Sequence, residues 1–473
     1  MNPRRSVFQF LLPGTALFAF VWAVARACVQ SITIDEADTY LAWVARPNPS
    51  HWEAASNNHV LNSLLMRLTT SVFGVSHLTV RAPALLGAAI YIAAIYLLCV
   101  KLTPLRKLQW PLFVCLVYNP FIFDHMVAAR GYALALGFLM AALAIAVCRK
   151  PAAASLAACS VCVALSFAAN FSFAFVDAAA MLAILIWACA RTQAIQVRVR
   201  LLGACVLPGL LVSVFLSAPA VLHWPKGDLA YGAHSLGETF RTVAQSSLYR
   251  PNPQMVNPML LLGIEKVKNY LLPVLLILAA WQWVRRRNTL ALVLLAIMAT
   301  ALGAHWLLLK SFHVLLPRDR TAIWIVPLLT LAIGVVAANR RALTVMLYVM
   351  SFYYVLCLRL TYFKEWSWDA DVNRIYPVIA RYNHDYGVTD VVSNWQYVAS
   401  LNFYRLQSGG ESLDEIPGPL QLPGGHSLYV LNWAFDEAFL KEQHLRVVYR
   451  APDTDAVVAI RDISGPSLVL GKR

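Results

Sequence analysis

Long apolar runs, separated at regular intervals by basic residues, constrain this chain more than any other feature. Of its 473 residues 59% are hydrophobic and only 13% charged, against roughly a quarter charged in soluble domains. Several runs reach the roughly 20 residues that cross a bilayer as a helix. Eleven spans are expected, at 8–29, 80–100, 108–123, 131–148, 153–169, 171–190, 201–222, 269–284, 289–309, 321–338 and 342–362. A large soluble protein with buried helices would not punctuate its apolar runs this way.

Alternate connections carry Arg4, Arg5, Lys101, Arg106, Lys107, Arg149, Lys150, Arg191, Arg198, Arg200, Arg285, Arg286, Arg287, Arg340 and Arg341, and no acidic residue. By the positive-inside rule this side faces the cytoplasm. These fifteen cations account for the whole net charge of +15. The basic excess is therefore an orientation signal and not a nucleic-acid footprint, and no nucleic-acid partner is expected. The first span follows Arg4-Arg5 and precedes a small-x-small Ala25-Arg26-Ala27, as a cleaved signal would. Its long apolar run favours a retained helix, which puts the N-terminus inside and the C-terminus outside. All nine cysteines lie in or at the edges of spans, so no external disulfide framework is implied. Cys159 and Cys162, a CxxC inside an apolar helix, are expected as small packing residues.

Three outer segments exceed what connection requires. In the first, residues 30–79, Asp38–Ala45 and His59–Phe73 show helical apolar spacing and suit helices lying in the interface. The second, 223–268, holds Trp224-Pro225-Lys226-Gly227-Asp228 and Arg250-Pro251-Asn252-Pro253 and is expected as a partly ordered loop. The third, 363–473, alternates helical patterns (Asp371–Tyr386, Trp395–Leu406) with strand-like ones (Asp390–Val392, Ser427–Leu431, Leu445–Tyr449, Ala456–Ile460). It predicts a small extracytoplasmic α/β domain of three or four strands, a lid or acceptor-recruiting module. Residues 1–362 form the transmembrane domain in this reading.

Asp35, Glu36 and Asp38 sit just past the first span, where a lipid-tethered substrate arrives. Acidic loop residues are usually only solvated, but a carboxylate here is placed to deprotonate an acceptor hydroxyl or amine. Asp35 equally suits the N-cap of a helix starting at this point. Asn57-Asn58-His59 opens the next apolar helix; the asparagines suit caps, and His59 suits a sugar, phosphate or metal contact. Asp124-His125 and Arg130-Gly131-Tyr132 fill the turn before the fourth span. Arg130 there is either an interfacial anchor or a phosphate ligand. Lys310, His313, Arg318, Asp319 and Arg320 form a basic outer cluster that orientation does not explain, and they suit a lipid phosphate. Asp177, inside the sixth span, is costly in lipid and by default faces a cavity or a polar partner; His305 is a weaker case.

These motifs, in this order, resemble the GT-C superfamily of integral membrane glycosyltransferases, in particular bacterial protein-mannosyltransferase and aminoarabinose-transferase types. The resemblance is strongest over the first 150 residues. It rests on the acidic pair, the polar knot, Phe73-Gly74-Val75-Ser76, Arg81-Ala82-Pro83-Ala84-Leu85-Leu86, Ala129-Arg130-Gly131-Tyr132-Ala133-Leu134 and Leu316-Pro317-Arg318-Asp319-Arg320. Relatives often carry His-Pro-Pro-Leu where this chain has His59-Val60-Leu61-Asn62.

The resemblance implies transfer of a sugar from a polyprenyl-phosphate donor to a glycan, lipid or protein acceptor at the outer face of a bacterial inner membrane, with inversion. It makes Asp35 the base, leaves Glu36 to assist or to hold a divalent metal, and gives the donor phosphate to Arg130 and Arg320. A transporter or flippase of lipid-linked sugars would favour repeats and several charged sites at mid-membrane. A polysaccharide ligase or polymerase is a chemical cousin, and a scaffold that kept the fold without the chemistry is a third class.

Overall fold

The computed structural model describes residues 3–46, 55–103, 105–191, 194–223, 231–248, 270, 273–285, 288–410, 412–419 and 421–461, with side chains from Phe10 onward. In chain order the helices are α1 (Pro3–Val29), α2 (Ile34–Trp43), α3 (Val60–Phe73), α4 (His77–Leu102), α5 (Arg106–Val117), α6 (Pro120–His125), α7 (Tyr132–Cys148), α8 (Ala153–Ala169), α9 (Ala174–Cys189), α10 (Ile195–Leu222) and α11 (Leu236–Ser247). They continue as α12 (Pro273–Arg285), α13 (Leu290–Phe312), α14 (Ile325–Ala337), α15 (Arg341–Leu356), α16 (Val372–Tyr386), α17 (Trp395–Gln407) and α18 (Trp433–Glu442). Four strands, β1 (Val391–Ser393), β2 (Leu428–Asn432), β3 (Leu445–Arg450) and β4 (Ala456–Arg461), lie among the last three helices.

The chain divides into two compact units. One comprises Met1–Cys28, Arg46–Gly74 and Leu78–Leu360; the other comprises Val29–Ala45, Val75–His77 and Thr361–Arg473. The segment carrying Asp35, Glu36 and Asp38 thus groups with the C-terminal residues, which sequence periodicity does not reveal.

The first unit is a helical, membrane-spanning bundle. Among the described residues six helical segments are long and apolar enough to cross a membrane: Phe10–Val29, His77–Leu102, Phe171–Cys189, Ile195–Leu222, Leu290–Phe312 and Asp319–Ala337. Five further apolar helices, α3, α7, α8, α12 and α15, are shorter. Small residues bring the helices together. A Cβ on Gly87 of α4 would lie 2.3 Å from the Leu134 nitrogen of α7, and one on Gly137 would lie 2.6 Å from the Gly87 oxygen. These two helices cross with their backbones nearly touching, as small residues permit in lipid. The α8–α10 contact uses the same device: Gly209, whose Cβ would sit 2.5 Å from Ser160 Oγ, donates its N–H to that oxygen at 2.9 Å.

Two expectations are corrected. Residues 108–123 are not one span but α5 and α6, because Asn119 caps a new helix whose first residue is Pro120. Its Oδ1 accepts the Phe121 N–H at 3.0 Å, and proline at the first helical position has no N–H to leave unpaired. Within 223–268 the described part holds a regular helix, α11, capped by Ser235, whose Oγ accepts the Glu238 N–H at 3.2 Å. The Trp224–Asp228 and Arg250–Pro253 motifs lie outside the described residues.

The second unit is α/β. Its four-stranded sheet has the order β1-β2-β4-β3, with β1 parallel to β2 and the other pairs antiparallel. Val392, Tyr429, Leu431, Val457 and Ala459 build its core against Leu440 of α18. Gly387 ends α16 in the left-handed conformation, φ 67°. Helix α2 packs on α17 in this unit, and Tyr40 meets Phe403 edge-on at 5.4 Å.

Candidate functional site

The acidic residues belong to the second unit. Thr33, not Asp35, is the N-cap of α2: its Oγ1 accepts the Glu36 N–H at 3.2 Å, and Glu36 Oε2 accepts the Thr33 N–H at 3.0 Å. This is a capping box. It commits one oxygen of the fully buried Glu36 carboxylate to holding the helix start. Asp35 is half-buried and Asp38, one turn on, is exposed.

The loop before α2 is tied down residue by residue. Gln30 Nε2 donates to the Tyr362 carbonyl at 3.1 Å, and the Ile32 N–H donates to the Tyr404 hydroxyl at 3.0 Å. The Ile34 N–H donates to Asp369 Oδ2 at 2.8 Å. Asp369 is fully buried, and Ser400 Oγ donates to its other oxygen at 3.3 Å. Burial pushes this carboxyl well above the usual carboxylate range. The Ile34 N–H and Ser400 hydroxyl oppose that rise, and the negative charges of Asp35 and Glu36 add to it.

The basic residues belong to the first unit. Arg130 precedes α7 and is almost fully buried; its Nη2 donates to Asn57 Oδ1. The next residue, Gly131, has φ +74°, and a Cβ there would lie 2.0 Å from the Ala169 carbonyl oxygen and 3.2 Å from His59 Cβ. Glycine is the residue that lets the α7 start, the α8 end and His59 meet. His59 is buried, and neither ring nitrogen has a hydrogen-bond partner among the described residues. Its ring lies 5.8 Å from that of Tyr132, which in turn meets His125 edge-on at 5.0 Å. Burial first, then Arg130 and Arg320, hold the His59 imidazole well below its ordinary pKa. The bundle therefore gathers Arg130, Arg320, Tyr132 and a neutral His59. Asn58 is buried, its Oδ1 accepting from Ser63 Oγ at 3.3 Å.

The Arg320 loop is braced by α11. The Asp319 N–H donates to Thr242 Oγ1 at 3.1 Å, Ala233 pairs with Leu316 as an isolated bridge, and the Arg320 guanidinium lies 5.8 Å from the Tyr231 ring centre. Arg318 pairs with Glu238 at 3.5 Å and with Asp319 at 3.3 Å, while Lys310 is exposed beside Trp306. Asp177 is buried in α9, and neither of its oxygens has a hydrogen-bond partner among the described residues.

No protein-family model matches the chain, and no curated protein sequence matches it significantly. Solved structures do. The crystal structure of ArnT from Cupriavidus metallidurans bound to undecaprenyl phosphate superposes with a TM-score of 0.56 at 12% identity, covering 98% of this chain and 100% of that one. The apo structure of the same protein gives 0.52 at 12% identity, with the same coverage. The chain therefore shares the fold of ArnT.

Within this ArnT-like fold, two acidic anchors are not legible in the sequence. Asp124 was legible as a polar residue, but its role was not: Oδ1 accepts from Arg26 Nη2 at 2.8 Å and Oδ2 from Arg359 Nη2 at 2.5 Å, all three side chains buried. The clasp joins α1, α6 and the segment after α15. A basic residue in each of two apolar stretches was its only sequence signal. Asp369 gave none, since its partner Ile34 is 335 residues away. Among the described residues no three His, Cys, Asp or Glu side chains are grouped to hold a metal ion.

Proposed function

We propose that the protein is a membrane glycosyltransferase that moves a sugar from a polyprenyl-phosphate-linked donor to an acceptor at the outer face of the membrane, with inversion. The observation that carries this reading is the cluster of Arg130 and Arg320 around a buried, neutral His59, in a fold shared with a protein crystallised with undecaprenyl phosphate. In this chemistry the acceptor oxygen or nitrogen attacks the anomeric carbon as the bond from that carbon to the phosphate oxygen breaks. The lipid phosphate leaves with the electron pair, and the acceptor proton goes to a base. Asp35 is that base, and Arg130 and Arg320 hold the phosphate as its charge grows. A stable leaving anion needs positive charge more than it needs a general acid. Glu36, held in the capping box, positions the helix start beside Asp35.

The basic connections face the cytoplasm in this proposal, by the positive-inside rule. The test is release of free polyprenyl phosphate from a polyprenyl-phosphate sugar by purified wild type and Asp35→Asn, with crude envelope extract as acceptor. Asp35-dependent release with a labelled product is expected. Equal release by both proteins removes Asp35 as base. Movement of the lipid between leaflets without release, across a panel of donors, replaces the transferase by a transporter, a reading that the buried Asp177 would then serve.

A further inference from the structure

Helix α7 begins beside Arg130 and ends at Cys148, 17 residues on, or roughly 25 Å by helical rise. At that far end a cavity of about 540 Å³ opens, a volume within the roughly 300–1,000 Å³ of small-molecule sites. Its walls are apolar: Leu98 of α4, Leu143 of α7, Ile184 of α9, Ile297 of α13 and Leu331 of α14. Arg149, Lys150 and Arg191 also line it, and no Asp or Glu does. The Arg191 guanidinium lies over the Trp187 ring at 4.7 Å from its centre. Among the described residues none of these three cations forms an ion pair.

Orientation alone would be served by cations scattered along the loops. Here three of them converge on one apolar chamber with no counter-ion among the described residues. A free anion would be satisfied at the cations and would leave the apolar walls unused. A ligand with an anionic head and a hydrocarbon chain matches both parts, and basic pockets between spanning helices recognise such lipids. The commonest phosphate-bearing molecule at a membrane surface is the bilayer's own glycerophospholipid.

We propose that this cavity binds one anionic glycerophospholipid, its phosphate against Arg149, Lys150 and Arg191 and an acyl chain between α7, α9 and α13. The site is distinct from the Arg130 cluster and does not depend on the transferase reading. The test is native mass spectrometry of the delipidated full-length protein with phosphatidylglycerol, phosphatidylcholine, polyprenyl phosphate or inorganic phosphate. One tightly retained phosphatidylglycerol is expected. The triple variant Arg149→Gln, Lys150→Gln, Arg191→Gln should lower its retention about tenfold and leave phosphatidylcholine unchanged. Ala183→Trp, which fills the cavity and keeps the charges, should lose it equally, and it decides the matter if the triple variant does not fold. Equal retention of the two phospholipids, unchanged retention by Ala183→Trp, or inorganic phosphate binding as tightly as lipid would each overturn the proposal. Displacement of phosphatidylglycerol by polyprenyl phosphate would overturn the assignment to a glycerophospholipid.

Discussion

The Asp369 carboxylate accepts the Ile34 backbone N–H at 2.8 Å, so the residue preceding Asp35 is fixed by a buried acid from 335 positions away. Because burial raises its pKa, Asp369 binds its proton more tightly folded than unfolded. That contribution to stability is complete below the unfolded value, about 3.9, and is lost as pH rises through the raised one. Asp369→Asn does not titrate. Its melting temperature relative to wild type should therefore climb as pH rises from the unfolded value through the raised one. Thermal unfolding of both proteins across that range checks this, and a constant difference would refute it.

The Asp124 clasp gives a second expectation. Removing its charge takes from the buried Arg26 and Arg359 guanidinium groups the carboxylate that bridges them. Breaking a buried pair in this way costs about 3–5 kcal/mol. Asp124→Asn should lower thermal stability by that order in detergent. Asp38→Asn, on the exposed side of α2, should change stability little. Parallel unfolding curves for the two variants decide it; equal loss would mean that the clasp adds nothing specific.

How much of this was legible in the sequence depends on the range of the interaction. Apolar periodicity is local, so the tail's strands and the Asp371–Tyr386 helix could be read directly. The capping box was also local, as Thr33-x-x-Glu36, yet the acidic run drew attention to Asp35 as cap. The break at Asn119-Pro120 carries a plain signal, but apolar residues on both sides made 108–123 look continuous. Arg359 with Asp124, and Asp369 with Ile34, are joined only by the fold, and no spacing rule connects residues more than two hundred positions apart. Among Lys310, Arg318 and Arg320, spacing alone does not separate Arg320 from the other two, and only the family resemblance singles it out. That distinction depends on Glu238 and Asp319 lying beside Arg318.

The same distinction predicts unequal mutants. If Arg130 and Arg320 hold the donor phosphate, Arg130→Lys and Arg320→Ala should each lower kcat/KM for the lipid donor by roughly a hundredfold, the scale of one charged group aimed at a developing anion. Lysine at 130 keeps the charge and loses the planar fork that reaches Asn57. Arg318→Ala and Lys310→Ala should stay within about threefold of wild type. Steady-state kinetics on the four variants make the comparison, and a large loss at Lys310 with none at Arg130 would move the phosphate site.

His59 supplies the last expectation, with a sign opposite to that of Asp369. Its pKa is lowered in the folded protein by burial and by Arg130 and Arg320. The unfolded chain therefore takes up a proton below about pH 6.5 that the folded one refuses. Stability should fall as pH drops through that value toward the lowered one, and His59→Phe should remove this slope. A bound lipid phosphate would offset the two guanidinium charges and make protonation of His59 easier. Polyprenyl phosphate should then flatten the acid slope of wild type and leave His59→Phe unchanged. Unfolding curves with and without the lipid separate the cases. An acid slope that survives His59→Phe would assign it to another group, and one that ignores the lipid would place the phosphate away from Arg130 and Arg320.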